Sequence, residues 1–542
     1  MAEFDSLVKR AERSFIKRDQ FVALMRDAYG FAQPERDSWT SYGYGQNRMA
    51  RVFNSTAIAA AGRFTNRVQQ ALFPPQQRWC QLAPDPSLPP ELVTSEAQHL
   101  EAATERLFSH IRVSNFDLAI SEWGQDLLAG TAVMMIENGR RGGRPYAPLL
   151  RCRVIPSGHI GLDDGPDGSV EGIFIEQKQD ARLVQRAWPD AKLPAVLTKL
   201  AEDQPEAEVS LLLATVYEPE ERKWCLHVLH KESKTVMLKR YSITQPFICT
   251  RWSKAPGEDR GRGPLLQALP DIRTANKVVE GLLRGQAFTY APITLARHDG
   301  VLNPSTVRLV PGAVIPVAST GGPMGASLAP FPMPQQINTQ QIVLGQLETS
   351  IRQIMFDSPL PPEVQAGLTA TEVVERVRQF QADTGAFGRL QAEAVIPMVR
   401  RMIDVLEEAG EFSDPQYAGL AQLIDDGQIR IVPVSPLAQV QNRADVSAVM
   451  DLLRMAGGMG EYGQAVLQNS LKLNEVGPFL AQKLGVPAHL IPTAEDLAQV
   501  KAEQQQQQQL QQVLSSPVAA QVAGQLAGGA VQAAQPQAEA TQ

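Results

Sequence analysis

Leu7, Phe15, Val22 and Met25 recur at helical spacing, so residues 3–30 are expected to form an amphipathic helix that stops before Pro34. An alanine-rich run predicts a second helix over 47–72, closed by Ala71-Leu-Phe-Pro-Pro75, where proline forces the chain out of helical geometry. Trp79-Cys-Gln-Leu82 reads as a short strand, and 91–112 and 114–130 as two further helices. From about 131 to 252 the pattern becomes mostly β. Runs at 131–136, 150–155, 170–177, 210–217, 224–230, 235–238 and 247–252 read as strands, and only 181–200 reads as helix. Asp163-Asp-Gly-Pro-Asp-Gly168 is a hairpin-type turn signal.

The pattern changes again at Pro264. Leu265, Leu266, Ile272, Val278, Val279, Leu282 and Leu283 follow helical spacing, with Pro270 better suited to a first turn than to an interior. A proline-rich, strand-like stretch follows at 289–336, then a second helical stretch at 337–358. Two helices that leave and return around a small β-rich tip make a stalk. A short loop of small and apolar residues comes next: Pro359, Leu360, Pro361, Pro362, Glu363, Val364, Gln365, Ala366, Gly367 and Leu368. Thr369-Ala-Thr-Glu372 then has capping-box spacing and opens a long helix to about 410, with a kink expected at Pro397. Beyond it, short helices, one strand at 428–432 and a helix from Thr493 are expected. The end, 515–542, is rich in Ala, Gln and Gly and lacks the large apolar residues of a core, so it reads as a low-complexity tail.

At 542 residues the chain should hold more than one domain. Formal net charge is −7, which argues against coating nucleic acid non-specifically but not against enclosing it in a channel. The uncharged run 309–347 is long enough to span a bilayer but is broken by six prolines, so no membrane segment is expected. Cys80, Cys152, Cys225 and Cys249 are scattered, without a CxxC, which fits a reducing compartment and indicates neither zinc site nor disulfide framework.

Catalytic constellations are missing from the linear sequence. It has no P-loop, no HExxH and no GxSxG. His227 and His230 lie in a strand-like run, where their side chains point to opposite faces, so they make a poor metal pair. Asp163, Asp164 and Asp167 miss the calcium-loop spacing and suit a turn. Gly261 and Gly263 form a doublet without phosphate-loop context. No enzyme activity, cofactor or metal is therefore expected. Arg273, Lys277 and Arg284 share one helix edge within about 40°. They read either as a basic stripe facing phosphate in a channel or as a solvated, salt-bridged face, and the second is the commoner use of charge on a helix.

Several stretches, in order, resemble one family. Gln70-Ala-Leu-Phe-Pro-Pro75 with Trp79 is similar to its ALFP…W segment. Thr250-Arg-Trp, Gly261-Arg-Gly-Pro-Leu-Leu266 and Asp271-Ile-Arg resemble its approach to a stem. Phe356 to Ser358 with Leu368-Thr-Ala-Thr-Glu372 resembles its tunnel loop and following helix. The family is the portal proteins, or head-to-tail connectors, of short-tailed double-stranded DNA bacteriophages. Each motif alone is weak; the ordered set, covering roughly 1–500, is specific.

The resemblance implies an α+β portal-type subunit. Its parts would be a wing (1–263), first stem helix (264–288), clip (289–336), second stem helix (337–358), tunnel loop (359–368), long helix returning to the wing (369–410), crown and C-terminal helices (411–514) and tail (515–542). It implies a homo-oligomeric ring of twelve at the portal vertex of the virion, assembled in the host cytoplasm. Double-stranded DNA would pass through the channel during packaging and ejection. The implied partners are the large terminase subunit, a scaffold protein, the major capsid protein and a tail adaptor or tail tube protein. Rival readings are another virion structural protein, such as a tail adaptor, and a virion hydrolase. The second needs paired carboxylates that the sequence does not mark.

Overall fold

The structure is a computed structural model. It describes residues 2–36, 39, 47–75, 77–84, 90–141, 145–290, 293–297, 313–317, 328–330, 337–357, 389–412, 429–434, 446, 449–455, 476–477 and 480. The architecture is mixed helix and sheet. The chain groups into two compact units. The first comprises Met1–Cys80, Glu105–Pro415 and Pro433–Leu437; the second comprises Gln81–Thr104, Gln416–Val432 and Ala438–Gln542.

In the first unit, β4 (Ile160–Asp164), β5 (Val170–Asp180), β6 (Glu208–Glu218), β7 (Lys223–His230) and β8 (Thr235–Ser242) form an antiparallel sheet in sequence order. Strand alternation sorts its side chains between two cores. Ile173, Ile175, Leu211, Leu213, Leu226 and Val228 face one core, which also holds Val133, Met135, Val184, Trp188 and Leu197. Phe174, Leu212, Ala214, Val216 and Leu229 face the other, covered by Phe4, Leu7, Ala11 and Phe15 of α1 (Ala2–Asp19). A second antiparallel sheet sets β2 (Thr131–Asn138) between β3 (Leu150–Ile155) and β9 (Phe247–Arg251).

The expected helix at 3–30 is two helices. α1 ends at Asp19 and α2 (Val22–Ala32) follows, because the halves bury against different partners: α1 on the sheet, and α2 on α3 (Thr56–Leu72) and α8 (Pro264–Tyr290). α3 starts nine residues later than expected, since 47–55 is a strap tied down by the Asn276 side chain of α8. The helix expected at 181–200 is likewise two, α6 (Ala181–Ala187) and α7 (Ala195–Asp203), interrupted at Trp188-Pro189. The hairpin turn after Asp164 is present, but its first strand is β4, an element the sequence reading passed over; β3 belongs to the other sheet.

Around α3 and α5 (Phe116–Ala129) an aromatic cluster fills the core. Phe73 meets Trp79, Phe116 and Trp123 edge-on at centroid distances of 5.0, 5.5 and 6.0 Å, a favoured geometry for π systems. The Leu-Phe-Pro-Pro motif is thus a core device: proline turns the chain so that Phe73 and Trp79 meet edge to face. α10 (Ile396–Glu408) follows a widened π-type turn, Gln391–Val395. The irregularity expected at Pro397 is therefore taken up one turn earlier, where a proline ring would otherwise strike a carbonyl. Arg401 and Asp404 of α10 form a buried pair at 2.8 Å, and Arg401 Nε donates to the Ile136 carbonyl at 3.1 Å, fixing α10 on β2.

The described part of the second unit contains a two-stranded pairing of β1 (Cys80–Pro84) with β13 (Ile429–Pro433) and the residues of α4 (Pro90–Val113) up to Thr104. Thr104 Oγ1 accepts from the Leu82 backbone N–H at 3.1 Å and donates to the Leu100 carbonyl at 2.7 Å, which joins helix to strand.

Candidate functional site

The helices α8 and α9 (Ile337–Ile354) pack together as a pair. α8 has 27 residues, about 40 Å at 1.5 Å per residue. It begins at Pro264, where the helical stretch was expected to start, but Pro270 lies inside it and not in its first turn. Pro264 takes the first-turn position, where a missing N–H costs nothing. The interior proline is tolerated because Leu265, Ala268, Leu269 and Ile272 around it are buried against the body. Ser350 Oγ of α9 donates to Asp271 Oδ2 of α8 at 2.7 Å, so the end of α9 lies beside the start of α8 and the helices run antiparallel.

Where α8 leaves the body, two glycines make the joint. A Cβ on Gly263 would lie 2.1 Å from the Leu128 carbonyl oxygen, and one on Gly130 would lie 2.3 Å from that of Gly261. Gly130 also has φ +126, a conformation side chains rarely adopt. The Gly261–Gly263 doublet is thus a close-packing device between α5 and α8. Its signal in the sequence was the glycine spacing, but its partner, Gly130, is distant in sequence.

Three clamps hold the base of the pair. Asn276 Oδ1 accepts from the backbone N–H groups of Phe53 and Asn54 at 2.7 and 3.2 Å, and its Nδ2 donates to the Arg51 carbonyl at 3.0 Å. Asn54 Nδ2 donates to Glu348 Oε1 of α9 at 2.9 Å. The third clamp closes α9. The Asp357 N–H donates to the Arg352 carbonyl at 2.7 Å and the Phe356 N–H to that of Gln353 at 3.1 Å, a Schellman ending with Phe356 at φ +56. Glycine normally takes that position. Here the ring of Phe356 packs on Trp252 and Phe64 at 5.6 and 6.4 Å, which offsets a left-handed penalty of roughly 1–2 kcal/mol.

Beyond the clamps the pair is exposed. Leu283 is 51% exposed, Ile342 63% and Val343 40%, and Tyr290 is exposed as well. Beyond α8 come β10 (Thr294–Arg297), β11 (Val314–Val317) and β12 (Leu328–Pro330), a three-stranded sheet in which β10 pairs parallel with β11 and antiparallel with β12.

Of the basic stripe, Arg273 pairs with Asp27 and Arg284 with Glu280 at 2.6 Å. Lys277 is exposed on the same helix. Among the described residues it has no carboxylate within salt-bridge distance. The loop Pro359–Leu368, the first part of the helix expected from Thr369 and the tail 515–542 lie outside the described residues. No described helix is long and apolar enough to cross a membrane.

The sequence matches the family model described as bacteriophage head to tail connecting protein over residues 5–491. No curated protein matches it. Two solved structures are similar at 13% identity. One, titled as the neck of an empty gene transfer agent particle computed with C6 symmetry, is covered over 92% of its chain and 77% of this one, with a TM-score of 0.33. The other, the virion of a native gene transfer agent particle, is covered over 91% of its chain and 77% of this one, with a TM-score of 0.32.

Proposed function

The chain belongs to the bacteriophage head-to-tail connecting protein family, and on that premise we propose that its copies form a ring at the portal vertex through whose channel double-stranded DNA is packaged and ejected. As a member of that family it is a structural component of the virion that joins head to tail.

The observation that carries the ring is the helix pair. α8 and α9 are clamped at one end and expose Leu283, Ile342 and Val343 further out. An isolated chain leaves that apolar surface in water; neighbouring copies would bury it. In this reading 264–288 and 337–358 form the stem, 289–336 the clip, 1–263 the wing and 411–514 the crown, in a ring of twelve. Loops 359–368 would line the channel. With Arg273 and Arg284 already paired to carboxylates, the stripe holds phosphate weakly, as a conduit for moving DNA requires. The large terminase subunit, scaffold, major capsid protein and tail adaptor would be the partners, met first in the host cytoplasm and then in the virion.

Light scattering with negative-stain imaging tests the ring. The unaltered protein is expected to give rings with a central hole. Leu283→Asp and Ile342→Asp are each expected to weaken them, because a carboxylate would be buried between subunits. Monomeric unaltered protein would overturn the ring, and undiminished rings from both variants would remove this helix face from the interface.

A further inference from the structure

The sheet face beneath α1 is apolar for most of its length and turns polar at one end. The register sets Cys225 opposite Val216 and Tyr241, and His227 opposite Ala214 and Lys239. Cys225 and His227 are two apart in β7 and share that face, as does Glu218 at the end of β6. Glu3, in the first turn of α1, closes over them. Cys225 Sγ lies 3.6 Å from His227 Nε2, which lies 3.1 Å from Glu3 Oε1 and 3.9 Å from Glu218 Oε1. The ligand atoms of Glu218, Cys225 and His227 all fall within 4.8 Å of one another. Cys225 and His227 are buried, Glu218 is partly exposed, and Glu3 faces solvent, which leaves a way in.

We propose that Glu3, Glu218, Cys225 and His227 form a tetrahedral site for a zinc-type divalent ion that ties the amino-terminal helix to the sheet. One sulfur, one nitrogen and two oxygens suit zinc. Bonds of about 2.3 Å to sulfur and about 2.0 Å to nitrogen or oxygen place neighbouring tetrahedral donors roughly 3.3–3.6 Å apart. The three separations from His227 Nε2, 3.1, 3.6 and 3.9 Å, bracket that range. His227 Nδ1 is buried without a partner, so the ring is held only through the nitrogen that faces the cluster. The cation now between the carboxylates is Lys239, at 2.9 Å from Glu3 and 3.2 Å from Glu218. Its side chain is 35% exposed and can withdraw toward solvent while keeping an outer carboxylate oxygen. On binding, the Cys225 thiol gives its proton to water as the sulfur–metal bond forms. Three anionic donors on a divalent ion leave one negative charge, which Lys239 balances.

The linear sequence hid this site because its ligands come from α1 and two strands, and only the strand register brings them together. Its test uses the full chain, stripped of metal by a chelator and then titrated with Co²⁺ and with Zn²⁺. One Zn²⁺ per chain is expected by elemental analysis. Co²⁺ is expected to give tetrahedral visible bands with a thiolate charge-transfer band. Cys225→Ser should remove the charge-transfer band. Glu3→Gln, at an exposed position and of nearly the same shape, should weaken affinity about tenfold or more, since even the loss of an outer partner of a ligand costs that much. Substoichiometric uptake, no charge-transfer band, or a band retained in Cys225→Ser would each overturn the site. Unchanged affinity in Glu3→Gln would remove the helix from it.

Discussion

Arg63 and Asp357 meet where α9 ends. Arg63 Nη1 donates to both carboxylate oxygens of Asp357, at 3.2 and 3.0 Å, and Arg67 Nη2 stands 3.9 Å away. The Asp357 side chain is 1% exposed. Arg67 also donates to the Phe356 carbonyl. Two arginines one helical turn apart on α3 thus hold the last residues before the segment 359–368.

Removing that anchor is expected to loosen the stalk without unfolding the sheets. Arg63→Ala leaves a buried carboxylate short of one donor, with an expected cost of about 1–3 kcal/mol. Because the Arg63 side chain is itself 57% exposed, the lower end of that range is expected. Arg63→Ala with Arg67→Ala should cost more than either alone. Urea unfolding measures the loss, and hydrogen exchange at 351–357 should rise before exchange in β5–β7 does.

Much of this arrangement was legible in the sequence, for identifiable reasons. The strands from β5 to β9 followed strand-like runs, the first of them opened by a turn signal, and α8 followed its apolar period, because such patterns are local. The anchor was not legible. Asp357 falls at the end of the helical stretch expected at 337–358 and Arg63 inside the one expected at 47–72, and nothing local says that 294 positions of chain close between them. Pro270 misled for a related reason, since tertiary burial of its neighbours outweighs a local helix penalty. The break between α1 and α2 depends on which partner each half meets, which periodicity alone does not carry.

Arg401 and Asp404 offer a sharper energetic test. Both are buried, at 3% and 7% exposure, and Asp404 Oδ2 also accepts from the Thr244 N–H at 3.2 Å. Asp404→Ala strands the Arg401 guanidinium in a site where burial already pulls its pKa down. A loss of about 3–5 kcal/mol is expected. Replacing both residues with apolar ones of similar volume, Arg401→Met with Asp404→Leu, should recover a large part of it. Failure of the double change to recover stability would mean that the bonds to Ile136 and Thr244, rather than the charge pair, hold α10.

Gly263 and Gly281 should respond in opposite directions. At Gly263 an added methyl meets the Leu128 carbonyl, so Gly263→Ala should force α8 off its seat and cost at least about 1–3 kcal/mol. At Gly281, within the same helix, nothing lies within 4 Å. Gly281→Ala should instead stabilise the single chain by roughly 0.5–1 kcal/mol through helix propensity. Thermal unfolding of the two variants reads this difference directly. Ring assembly of Gly281→Ala adds a second reading, because loss of the ring in a more stable chain would mark Gly281 as a point of close approach between copies.

The segment 359–368 carries the last expectation. It follows closely on the Asp357 anchor, and Thr369-Ala-Thr-Glu372 after it has capping-box spacing in the sequence. Three of its ten residues are proline, Gly367 supplies a joint, and Glu363 is its sole charge. If such loops from every copy border the channel, they grip DNA by shape and not by phosphate contacts. Deleting Pro361 to Ala366 should therefore leave rings intact, since the anchor and the clamps at Asn276 and Glu348 remain. Procapsids carrying the deletion should fail to retain a full genome, read as loss of nuclease-protected full-length DNA. Glu363→Gln should change protection little, because one carboxylate is not the basis of the grip. Full protection in the deletion would take the loop out of DNA retention. Loss of the rings themselves would show instead that the loop serves assembly.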